Sequence, residues 1–170
     1  MLVSLKEIIA MAEKGNFAIP AFNVYNTETV MGVVKAAEEL RAPIIMQVYP
    51  RLLNEEVGYY LCPAIVAAAR KATVPVCFHL DHGATEQEVQ KALRWGATGI
   101  MYDGSVHPFE ENVANTKHIV DMCNAIDVGV EGELGHIGSV NDDSMEEFTD
   151  PQEAADFDKK TCVCCLAVLI

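Results

Sequence analysis

Six short apolar runs alternate with longer helical patterns along 170 residues, and polar groups gather where the runs end. This predicts an α/β protein of the (β/α)8 TIM barrel class, with about the first six βα units present in this chain. The runs are FAIPAFN (17–23), PIIMQVY (43–49), VPVCFHL (74–80), TGIMYD (98–103), VGVEGEL (128–134) and VCCLAVLI (163–170). Such apolar stretches suit a parallel sheet covered on both faces. Asn23, Gln47, Asp81, His82, Asp103, Glu131 and Glu133 stand at or near the C-terminal ends of five of them. A barrel brings those ends around one mouth, whereas an open doubly wound sheet spreads them along a line. The chain is therefore read as one incomplete barrel domain over residues 1–170, stopping within its sixth strand where a whole barrel takes about 250 residues.

The intervening helices carry start signals. Ser4 is the expected N-cap of an opening helix with Leu5, Ile8, Ile9 and Ala12 on one face. Thr27 is expected to cap residues 28–41 and Thr85 to cap 86–96, and Pro108 opens 109–123. Asp150 caps 151–160, with Pro151 at the first helical position and Glu153 completing a capping box. The stretch 54–72 is also helical, with Pro63 expected at or near the start of its regular part.

The composition, 51% hydrophobic and 22% charged, suits a folded core. A formal net charge of −13 without any Lys/Arg cluster argues against nucleic acid as a partner. No apolar run approaches the roughly 20 residues of a membrane span. The N-terminus lacks the layout of a secretory signal, so a cytoplasmic location is expected. Cys62, Cys77 and Cys123 fall inside apolar patterns as small hydrophobes. Cys162, Cys164 and Cys165 form CVCC, which has no further ligands at useful spacing and is not expected to bind metal.

The informative stretch is VPVCFHLDHG, residues 74–83. Strand alternation puts His79 and Asp81 on one face, and His82 sits where the strand turns into its loop. Charge at a buried strand end demands a partner or a metal. Glu131 and Glu133 share a face in the same way, and a cation between or near them would relieve their repulsion. Asp103 is either a turn residue before Gly104 or another ligand at the same mouth. Several oxygen ligands with at least one imidazole suit zinc or a similar divalent ion. Every lysine falls on a predicted helix or its end, so within these residues metal chemistry is preferred to a Schiff base. GELGHIGS lacks a P-loop lysine; Gly135 and Gly138 are expected to shape a loop, 135–150, over the mouth. His107 and His136 lie in loops on the same side, within reach of a ligand, and His118 is expected to be structural.

The segments IPAFNVYNTET, VPVCFHLDHG, MYDGSVHPFEENVANTK, VEGELGHIG and FTDPQEAADF occur in an order that resembles the class II, metal-dependent ketose-bisphosphate aldolases, which act on fructose or tagatose bisphosphate. The resemblance implies a zinc-dependent barrel enzyme that reversibly cleaves a ketose 1,6-bisphosphate into dihydroxyacetone phosphate and an aldehyde, glyceraldehyde 3-phosphate. It implies that Asp81 is the acid/base at the aldehyde-side hydroxyl and that His82 is a ligand of the catalytic zinc. Asp103 and Glu133 match positions that hold a second or displaced divalent ion, and Asn23 and Gln47 are assigned to substrate binding. A dimer or tetramer of identical chains is implied as well.

The chain departs from the family pattern in three places. The family continues past the sixth strand into a Gly-x-x-His-Gly-like segment, a later histidine and phosphate loops. Asn141 stands where the family usually has glutamate. Cys162 and Cys164 replace an expected glycine and aspartate, and Leu169 an expected small residue. One imidazole with carboxylates holds zinc less well than three histidines. The chain alone is therefore expected to bind zinc weakly and to show little or no aldolase activity. The alternative reading is a non-catalytic aldolase-like remnant or accessory subunit.

Overall fold

The structure, a computed structural model, describes residues 1–135 and 148–169. His136, Gly138 and Asn141, and with them the expected loop over the mouth, lie outside the described residues.

Six parallel strands, β1 (Ala21–Asn23), β2 (Ile44–Val48), β3 (Val76–Gly83), β4 (Gly99–Tyr102), β5 (Gly129–Leu134) and β6 (Cys165–Val168), form one sheet in sequence order. A doubly wound sheet reverses its strand order partway; this one does not, and it curls into a half-barrel. The helices are α1 (Leu5–Gly15), α2 (Thr27–Leu40), α3 (Pro50–Asn54), α4 (Glu56–Lys71), α5 (Glu86–Arg94), α6 (Phe109–Asn124) and α7 (Pro151–Thr161). None is long and apolar enough to cross a membrane.

Most predicted caps are present. Ser4 and Glu7 form a capping box, Thr85 accepts from the Glu88 N–H, and Asp150 accepts from Gln152 and Glu153. The cap of α2 is Asn26 instead of Thr27, because the Asn26 side chain reaches the Thr29 N–H and makes Thr27 the first helical residue. The stretch expected to be helical from 54 to 72 is α4, with the short α3 before it, and Pro63 lies inside α4 instead of near the start of its regular part. Pro63 sits on the exposed face, after the solvent-facing Tyr59 and Tyr60, so the carbonyl it leaves unbonded can turn to water. β1 is shorter than predicted and exposed throughout, as an edge strand with β2 as its single neighbour. β3 runs longer than predicted, to Gly83.

Alternation divides the sheet into two surfaces. Met46, Val48, Val76, Phe78, Leu80, Ile100 and Val130 pack outward against helix residues such as Ile65, Val89, Ile119 and Phe157, all buried. Inward-facing Ile45 and Cys77 instead join Leu5 and Ile8 of α1 in a separate apolar cluster. α1 reaches the strand starts: the Val3 N–H donates to Val76 O at 3.0 Å and the Leu5 N–H to Thr98 O at 2.9 Å. It thereby closes the floor of the half-barrel. Gly99 and Gly129 are register partners on β4 and β5, and a Cβ on either would lie within 2.9 or 3.0 Å of Leu5 Cβ. Glycine at both positions makes room for the plug.

Gly99→Ala is expected to destabilise the fold by roughly 1–3 kcal/mol, because its Cβ would also meet His79 Cδ2 at 2.8 Å. Gly32→Ala, in α2 with nothing within 4 Å, is expected to stabilise by about 0.5–1 kcal/mol. Denaturant midpoints of the two variants would check this, and equal shifts would refute the packing account.

Candidate active and metal site

The mouth is organised by the end of β3. There the β3–β4 register shifts between Leu80 and Gly83, and His82 adopts a left-handed backbone with φ 49°. Regular alternation would send Asp81 and His82 to opposite faces. The irregularity lets both serve the mouth, with His82 Nε2 4.0 Å from Asp81 Oδ1.

Asp81 is held from both sides. Asn23 donates its Nδ2–H to Oδ2 at 2.6 Å, and Gln47 donates its Nε2–H to Oδ1 at 3.0 Å. These donors are register partners on β1 and β2. His82 Nδ1 lies 2.9 Å from Asp103 Oδ2 and 3.1 Å from Glu133 Oε2. Asp103 accepts at its other oxygen from the Ser105 N–H at 3.1 Å and hydroxyl at 2.7 Å. The end of β5 is fixed from behind, where the buried Asn112 donates to the Glu133 carbonyl at 2.9 Å. Gly104 permits that approach, since a Cβ there would be 2.2 Å from Asn112 Oδ1.

The ionisation states follow from these contacts. Hydrogen bonding to Asp103, then contact with Glu133, outweighs burial and pushes His82 up to about 10. Burial pushes Asp103 up, but the bonds from His82 and Ser105 together prevail and hold it at about 2. Burial raises Glu133, and His82 opposes it. The metal-free site therefore holds an imidazolium among carboxylates.

His82, Asp103 and Glu133 each offer a ligand atom, and these atoms all lie within 4.8 Å of one another. Glu133 is 3% exposed, and its Oε2 has no aligned hydrogen-bond partner. An orphaned carboxylate oxygen beside an imidazole and a second carboxylate is a donor set that fits a divalent cation.

Glu131 stands apart from that group. Each of the two glutamates of β5 meets a histidine of β3: Glu131 Oε2 lies 3.2 Å from His79 Nε2, and Glu133, of the candidate metal group, faces His82. Gly99 makes room for the His79 ring in the first pairing, since a Cβ there would lie 2.8 Å from His79 Cδ2. His107 Nδ1 is 3.3 Å from Glu111 and lines a cleft of about 250 Å³ with Ser105, Phe109 and Phe148. His118, expected to be structural, is on the surface 3.2 Å from Glu86. Cys62, Cys77 and Cys123 are buried as expected, and Cys162 is exposed. Cys164 and Cys165 have their sulfurs 4.0 Å apart, and among the described residues no metal-holding group includes them. Sequence reasoning missed Ser105 and Asn112. The Asp-Gly-Ser order of residues 103–105 was a usable signal for the first, whereas Asn112 gave none.

Fold and site together define a (β/α)-barrel protein with a carboxylate and a candidate divalent-metal group at the C-terminal mouth of its strands. Residues 3–170 match the family described as fructose-bisphosphate aldolase class-II. The chain belongs to that family. It is 38% identical over 172 aligned residues to the fructose-bisphosphate aldolase of Giardia intestinalis, covering 99% of this chain and 53% of that protein. It is also 38% identical to a probable fructose-bisphosphate aldolase of Bacillus subtilis, covering 98% and 60%. Among solved structures it superposes on the YdjI aldolase of Escherichia coli with TM-score 0.89 and 35% identity, over 100% of this chain and 61% of that one. The chain thus spans a little over half the length of these relatives.

In the metal-free chain, His82 titrates at about 10 when folded against about 6.5 when unfolded. Its stabilising contribution is complete below pH about 6.5 and lost as pH rises through about 10. Asp103 contributes above about 3.8, and that contribution is lost as pH falls toward about 2. Thermal melts in chelator are expected to show midpoints that decline above neutrality, a slope that His82→Gln removes. A wild-type profile without that decline would contradict the ion-pair assignment.

Proposed function

We propose that this chain carries the proton-transfer carboxylate and part of the metal site of a class II aldolase. The reaction is the reversible cleavage of a ketose 1,6-bisphosphate to dihydroxyacetone phosphate and glyceraldehyde 3-phosphate. The observation that carries the reading is Asp81, gripped by two amide donors beside the His82–Asp103–Glu133 group. Family membership supports the same assignment. The assembly would be a cytoplasmic homo-oligomer built on one barrel domain.

His82 would hold zinc, and Asp103 and Glu133 would take a second or displaced divalent ion. A zinc ion bound there supplies Lewis-acid polarisation of the substrate's ketone oxygen. The chain's own residues handle the proton. Asp81 takes it from the aldehyde-side hydroxyl in cleavage and returns it in condensation. Its amide bonds from Asn23 and Gln47 occupy one lone pair on each oxygen and fix the carboxylate plane, leaving a second lone pair for substrate. Asn23 is exposed and so open to substrate, whereas the partly buried Gln47 chiefly holds Asp81. A cleft of about 550 Å³ opens beside Asn23, lined by Tyr25, Tyr49 and Arg51, with room for the aldehyde half.

The test is cleavage of fructose and tagatose 1,6-bisphosphates by the folded chain, with added zinc and with chelator. Little cleavage is expected of the chain alone; the zinc-dependent part of it should fall about 10²–10⁴-fold in Asp81→Asn. Silence from folded protein in every condition would refute catalysis by this chain and favour the aldolase-like accessory subunit.

A further inference from the structure

The geometry points to His79 and Glu131 as positioning residues that fix Gln47, and through it Asp81; this role rests on the proton-transfer assignment of Asp81 above. His79 is 1% exposed. A buried imidazole must satisfy both ring nitrogens or bear the cost of desolvation. Nδ1 lies 3.4 Å from Gln47 Nε2, and Nε2 lies 3.2 Å from Glu131 Oε2, its nearest carboxylate, without an aligned hydrogen bond to it or to any other described residue.

The order of donors follows from chemistry. An amide nitrogen carries two hydrogens and cannot accept, and an ionised carboxylate cannot donate. Gln47 Nε2 already donates to Asp81 Oδ1 at 3.0 Å, and its second hydrogen faces His79 Nδ1. Nδ1 is then the acceptor, and the ring proton sits on Nε2, toward Glu131. Reversing the Gln47 amide would press its carbonyl oxygen against the Asp81 carboxylate. The chain of groups is thus consistent in one sense: the Glu131 carboxylate stands 3.2 Å from His79 Nε2 and favours a proton there by charge, without an aligned bond, His79 Nδ1 accepts from Gln47, and Gln47 donates to Asp81.

Backbone placement supports the assignment. Gln47 and His79 are register partners on β2 and β3, and Gly99 keeps β4 clear beside the His79 ring. An apolar pair would fill the same space without desolvating Glu131, but it would leave the Gln47 amide free to turn.

NMR of the metal-free chain, labelled at histidine ring nitrogens and glutamine side-chain amides, tests this without substrate. His79 is expected as the neutral tautomer with bare Nδ1 and protonated Nε2, and Gln47 amide hydrogens should exchange slowly. Glu131→Gln, whose side-chain carbonyl still accepts, should preserve both signatures. Glu131→Leu should lose the tautomer preference and speed Gln47 exchange at least tenfold. A protonated Nδ1 in the wild type, or a Glu131→Leu variant with both signatures unchanged, would overturn the assignment. The wild-type tautomer decides the matter even if Glu131→Leu fails to fold. Because no turnover is read, a chain that cleaves no sugar phosphate would defeat the proposed activity while leaving this result interpretable.

Discussion

A left-handed backbone at one non-glycine residue, His82, sets the geometry of the mouth. Such a conformation costs on the order of 1–3 kcal/mol and persists when its surroundings over-determine it. Here the surroundings do so. The β3–β4 register shifts beside it, the Asp103 N–H donates to Gly83 O at 2.9 Å, and the His82 ring is clasped by Asp103 and Glu133. Glycine would relax the backbone there and abolish the ring that makes the turn useful. The strained residue brings a carboxylate and an imidazole, adjacent in sequence, to one point of the mouth.

Below that point the interior changes character in steps of two residues, the period of a strand. Along β3 the inward positions read Cys77, His79 and Asp81, and along β5 Gly129, Glu131 and Glu133. The lowest layer is apolar, sealed by Leu5 and Ile8 of α1. The middle layer holds His79 between Gln47 and Glu131, in contact with each. The top layer holds Asp81, His82, Asp103 and Glu133, partly open to solvent except for Glu133. Rigidity thus comes from the floor and polarity rises toward the mouth. Gly99 serves both ends, since the same missing side chain admits Leu5 from below and gives room to the His79 ring.

Much of this was legible because the strand period and the strand ends are written locally. Asp81, His82, Asp103 and Glu133 could be assigned to one mouth from their places at the ends of apolar runs, and the parallel order followed from the alternation of elements. What could not be read depends on neighbours distant in sequence. Glu131 and Glu133 look alike along β5 until β3 sets His79 beside the first and His82 beside the second, so that only Glu133 joins the candidate metal group. Gly99 looks like an ordinary strand glycine until α1 and His79 converge on it. Asn26 and Thr27 are both good caps, and the choice rests on which side chain meets the Thr29 N–H. Pro63 is tolerated inside α4 because its face is exposed, which depends on how the helix lies against the sheet.

The same carboxylates that make the mouth attractive to a divalent ion also retain its competitor. Hydrogen bonding to Asp103 and contact with Glu133 push His82 up to about 10, so near neutrality its proton offsets only part of the carboxylate charge around it. A metal ligand must offer a bare nitrogen, and an arriving ion must therefore displace this proton. Buried Glu133 Oε2, left without an aligned partner, shows that the proton is an imperfect occupant: one N–H cannot satisfy two carboxylates, whereas an ion can be shared by both. The geometry therefore favours the ion by coordination number rather than by charge alone. Occupancy should rise as the proton is removed, until hydroxide competes for the ion itself.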